Sequence, residues 1–242
     1  MLKKLIKLNL DDLLLYIGVE CGLFLVIQIV VGCVMYFARP DTSITVSCVI
    51  FPIVGGFTAL VAGISHVGVS FEQALRFGQT RRRALGLTLG LMSFEAAFAL
   101  ALAGLLAAVE HFLCPPLWAR LAGADSWRFG GFSAPAPEPG AAAPVRESLL
   151  MVEGFTLDWY WWLLIFALAM GGGIIVGAVI QRFGAKGGWL IWCICFAPMI
   201  LMQIFPREIA SAAELVIPLL AVLFVAGFLW AVWSLLRAVV RS

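Results

Sequence analysis

Residues 13–38 form one unbroken apolar run in which Glu20 is the single charged side chain. At 1.5 Å of rise per residue a helix of that length reaches about 39 Å, more than the roughly 30 Å of hydrocarbon in a bilayer. Five further stretches approach the same length and character: residues 44–64, 84–108, 159–180, 188–205 and 212–239. Pro52 and Pro198 interrupt two of them, which a membrane helix tolerates when its neighbours satisfy the freed carbonyl. Composition agrees. Hydrophobic residues make up 63% of the 242 residues and charged residues 12%, whereas soluble domains sit near half and a quarter. A water-soluble fold of this size cannot hide so much apolar surface. The expectation is an all-α integral membrane protein with six transmembrane helices and a single membrane domain over residues 1–242.

Lys3, Lys4 and Lys7 before an apolar run resemble the start of a signal peptide, but the run is too long for a signal core. It reads as a retained first helix. In residues 1–12, Leu2, Leu5, Ile6 and Leu8 alternate with the lysines, the pattern of an amphipathic helix lying on the membrane surface. With the N-terminus in the cytoplasm, inner segments hold eleven of the sixteen basic residues, including Arg76, Arg81–Arg83, Arg182, Lys186 and Arg237. Outer segments hold Arg39, Arg120, Arg128, Arg146 and Arg207. The positive-inside rule then places both termini in the cytoplasm, and Trp159–Trp162 at the outer interface. A net charge of +2 gives no reason to expect nucleic acid.

The outer loop, residues 109–158, contains SAPAPEPGAAAP, a spacer composition. Its flanks, Leu117–Leu121 and Leu149–Phe155, are apolar enough to pack on the outer surface. Five of the six cysteines lie inside apolar runs, where thiols act as small hydrophobes; Cys114 reads as water-facing, and no disulfide framework is expected. Gly18/Gly22, Gly86/Gly90 and Gly173/Gly177 are small-xxx-small pairs that permit close helix approach.

The inner loop, residues 67–83, bears most on function. Ser70 and Gln73 fit a capping box, so a short helix is expected to start at Phe71. Gly78 is a natural stop. Phe71, Ala74 and Leu75 share one face; Glu72, Gln73 and Arg76 occupy the other. Thr80 is placed to cap the third membrane helix, and Arg81–Arg83 mark its inner end. Three arginines beside anionic headgroups need no partner beyond lipid. A capped helix with apolar knobs also fits a groove on a cytosolic protein.

The arrangement Phe71-x3-Leu75-x2-Gly78-x-Thr80-Arg81-Arg82, after the second span and opening the third, resembles the first cytoplasmic loop of small bacterial ABC-2-type permeases. The six-span layout, amphipathic N-terminus and inner termini are similar to that family. The resemblance implies the membrane subunit of a bacterial ABC exporter in the cell membrane, paired as a homodimer or with a homologous permease. It implies a coupling helix with Phe71, Glu72, Leu75, Arg76, Gly78, Arg81 and Arg82 docking on a separate ATP-binding subunit. The chain departs from many members in placing its large outer loop between the third and fourth spans, with only Pro206–Ser211 between the last two.

The chain has no G-x-x-x-x-G-K-[ST] phosphate loop, so an energy source must be a partner; no cofactor, metal or catalytic residue is expected. Glu95 falls near the bilayer centre, either as a cavity-lining, proton-accepting carboxyl or as a hydrogen-bonded structural group. Glu20 reads as structural, and Glu110 and His111 as headgroup-level residues. Two other functional classes stay open. One is a membrane scaffold or sensor. The other is a membrane enzyme of lipid metabolism, which would need Glu95 or His66 for turnover.

Overall fold

The computed structural model describes residues 10–130, 149–184, 186–189, 191, 193 and 206–237, with the backbone alone over 206–217. Its elements are α1 (Leu10–Ala38), β1 (Thr42–Thr45), α2 (Ser47–Arg76), α3 (Arg81–Ala122), β2 (Ser126–Phe129), β3 (Leu149–Gly154), α4 (Trp159–Phe183) and α5 (Pro206–Leu236). Among the described residues five helices are long and apolar enough to cross a membrane. The protein is a helical, multi-pass membrane protein. The expected interfacial helix at 1–12 and the expected span at 188–205 fall largely outside the described residues.

The helices overrun the expected spans. α3 has 42 residues, about 63 Å at helical rise, so it continues well past the expected end at Ala108. Pro115 and Pro116 lie inside it. Gly123 ends it with φ +75°. There the Ala124 N–H donates to the Ala119 carbonyl and the Gly123 N–H to that of Arg120, the paired bonds of a Schellman stop. Residues 206–211, expected as a short connection, are the first turns of α5, with Pro206 at the position where its missing N–H costs nothing.

A three-stranded parallel sheet, ordered β1-β3-β2, is added to the mostly helical architecture and was not expected from the sequence. β3 alternates: Leu150 and Val152 are buried while Leu149 is exposed, as a one-sided strand requires. The buried pair packs on Cys114, Trp118 and Ala119 of α3 and on Met35 of α1. Both apolar flanks of the outer loop are therefore ordered structure. Cys114 belongs to this core and does not face water.

Contacts divide the chain into two units, Met1–Gly55 with Ala97–Ile165, and Gly56–Ala96 with Phe166–Ser242. The first holds α1, the sheet and the late part of α3. There Glu110 is 1% exposed. Its Oε2 accepts the Ser47 N–H at 2.8 Å and its Oε1 accepts from Gln28 Nε2 at 3.0 Å. A carboxylate on the first N–H of α2 satisfies an orphan donor and complements the helix dipole. The second unit packs the later part of α2, the early part of α3, α4 and α5 around Phe71, Met92, Ile174 and Leu235.

Candidate functional site

Within the second unit, α2 and α3 form a helical hairpin closed by residues 77–80. The expected capping box does not form. Ser70 is helical (φ −67°, ψ −38°) and makes no capping bond. Instead α2 runs on through a π turn at His66–Ser70, closed by the Phe71 N–H on the His66 carbonyl. The sequence there, HVGVS, is poor in strong helix formers, and single π turns of this kind concentrate at functional sites. The expected coupling helix is thus the last part of a continuous helix, rigid with the span behind it.

Its end is built as expected. Gly78 has φ +78°. The Gln79 N–H donates to the Ala74 carbonyl and the Gly78 N–H to that of Leu75, a second Schellman stop. The Thr80 carbonyl takes the Ala84 N–H at 2.9 Å, so Thr80 stands at the N-cap of α3.

The expected docking residues separate into two groups. Phe71 is 0% exposed and packs with Ala84 and Leu85 of α3, with Leu75 half-buried beside them. These two hold the hairpin shut. Glu72 and Arg76 pair at 2.8 Å in the i, i+4 register, and Arg76, Gly78, Arg81, Arg82 and Arg83 are exposed. Arg81 Nη1 reaches the Leu236 carbonyl at 3.4 Å, at the end of α5, where a cation is favoured. Phe77, which sequence reasoning passed over, is 86% exposed at the tip. Its signal was its position beside Gly78: a bulky apolar residue where the chain must turn.

Behind the tip lies a buried polar pair that the sequence half revealed. His66, just past the expected second span, is inside α2. Its Nε2 is 2.9 Å from both oxygens of Glu95, and its Nδ1 is 3.2 Å from Ser70 Oγ. Glu95 is 1% and His66 9% exposed. The structure therefore gives Glu95 a partner across the hairpin, fixing α2 against α3 about three to four turns from the tip. No protein-family model, curated protein or solved structure matches this chain.

Proposed function

We propose that this chain is the membrane permease subunit of a bacterial ABC exporter, with the α2–α3 tip docked on a separate ATP-binding subunit. The observation that carries this reading is the tip itself: a glycine-closed hairpin whose exposed Phe77 lies in the chain between exposed arginines at 76 and 81–83. An exposed apolar knob on a basic rim suits a groove with an acidic edge. The buried Phe71 and the His66–Glu95 pair make the tip and both spans one lever, so a push at Phe77 reaches the membrane interior.

The topology is consistent with this. Basic residues at 76, 81–83, 182 and 237 sit at helix ends, which by the positive-inside rule makes those ends cytoplasmic. α4 and α5 run parallel: a Cβ at Gly171 would meet Phe224 and one at Gly227 would meet Ile175, and Arg182 stacks over Trp230 at 5.5 Å. Two successive parallel helices need a return between them. That supports a sixth crossing at 188–205 and cytoplasmic termini. The permease works as a homodimer or beside a homologue.

The test is co-purification. The tagged chain, extracted from its native membrane, retains a subunit carrying a Walker A loop. Phe77→Asp with Arg82→Glu lowers its recovery at least tenfold while the variant keeps the wild-type elution volume. Equal recovery from both proteins removes the docking reading.

A further inference from the structure

Among the described residues three carboxyls are wholly enclosed: Glu20, Glu95 and Glu110. Two have obvious duties. Glu95 holds His66, and Glu110 holds the first N–H of α2 and the Gln28 amide. Glu20 is different. It is 0% exposed in the middle of α1, and neither carboxyl oxygen has a hydrogen-bond partner among the described residues. No ion pair reaches it among those residues.

Room for this carboxyl is made by a glycine. A Cβ on Gly55 of α2 would lie 2.8 Å from Glu20 Oε1, and 3.4 Å from the Ala99 carbonyl of α3. Any other residue at 55 would evict the carboxyl. All three helices contribute to a niche that is shaped for an acid and offers it nothing to bind. One turn along the three helices from Glu20, Gly55 and Ala99, the residues Phe24, Phe51 and Ala103 belong to one apolar cluster. An acidic side chain in a spanning segment carries a cost with no structural return unless a ligand supplies the missing partner.

We infer that Glu20 is a proton-binding site within the membrane, loaded and unloaded as the protein works. The ligand is a proton because a metal ion such as calcium needs about six to eight oxygens around it, and among the described residues Glu20 belongs to no cluster of three or more His, Cys, Asp or Glu side chains. Release of the proton leaves a charge with no partner, so the α1–α2 contact at Gly55 must open to admit water. This couples proton exchange to movement of α1. The inference stands apart from the docking reading, since it concerns the first unit and needs no ATPase.

Infrared difference spectroscopy of the protein in lipid bilayers tests it. Stepping the pH produces a carboxylic-acid C=O band that shifts in deuterium oxide. Glu20→Gln removes the band, Glu20→Asp moves it, and Glu110→Gln leaves it in place. Sodium at constant pH leaves the spectrum unchanged. The inference is overturned if the band is absent from the wild-type protein, survives Glu20→Gln, or answers to sodium instead of pH.

Discussion

His66 and Glu95 show how a buried polar pair ties two spans together. Removing one member deprives the other of a buried, charge-capable partner, at a cost of about 3 kcal/mol, whereas replacing both by leucine removes that mismatch. Glu95→Leu alone should therefore destabilise the protein more than the His66→Leu, Glu95→Leu double variant does. Denaturant unfolding in mixed micelles measures this, and additive losses would contradict the pairing. Glu95 was legible as a costly intramembrane charge at a helix centre. Its partner was not, because a Ser and a Gly flanking His66 read as loop, while the chain continues as a π turn. The enclosure of Glu110 was hidden for a similar reason: the apolar run thins near Ala108, but α3 does not stop there, and the carboxyl bonds to Gln28 of α1 and Ser47 of α2.

At the scale of elements, helix ends decide where the chain turns. α1 ends with Arg39 at φ +45°, its N–H on the Met35 carbonyl. Pro40 follows and has no N–H, so the second Schellman bond cannot form there. A left-handed arginine is strained, so Arg39→Gly should stabilise the protein by about 0.5–1 kcal/mol. At Gly78 the same logic runs backwards. A Cβ there meets nothing within 4 Å, so Gly78→Ala isolates the backbone term and should cost about 1 kcal/mol. Thermal unfolding in detergent reads both, and opposite signs at these two positions are the expected result. Gly78 was legible from sequence; the glycine pairs were only partly so. Gly18, Gly22, Gly86 and Gly90 face open space, whereas a Cβ at Gly177 would lie 2.6 Å from Val67 Cβ, and one at Gly173 would lie 3.3 Å from Gly63 Cα. Small residues permit close approach; which helices use it depends on tertiary contacts that spacing does not encode.

For the whole molecule, hydrophobic run length was enough to reveal a multi-pass helical protein, and five of the expected spans have a matching helix. The sheet escaped because its strands are four to six residues long and far apart in sequence, and Leu149–Gly154 shows too few alternations to stand out from an apolar flank. The exporter reading depends above all on which side of the membrane holds the α2–α3 tip. That is measured directly with Phe77→Cys in a background lacking the native thiols, treated with a membrane-impermeant maleimide. The account predicts no labelling in intact cells and full labelling once the membrane is permeabilised. Labelling from outside intact cells would put the tip on the wrong side of the membrane for any cytosolic ATPase.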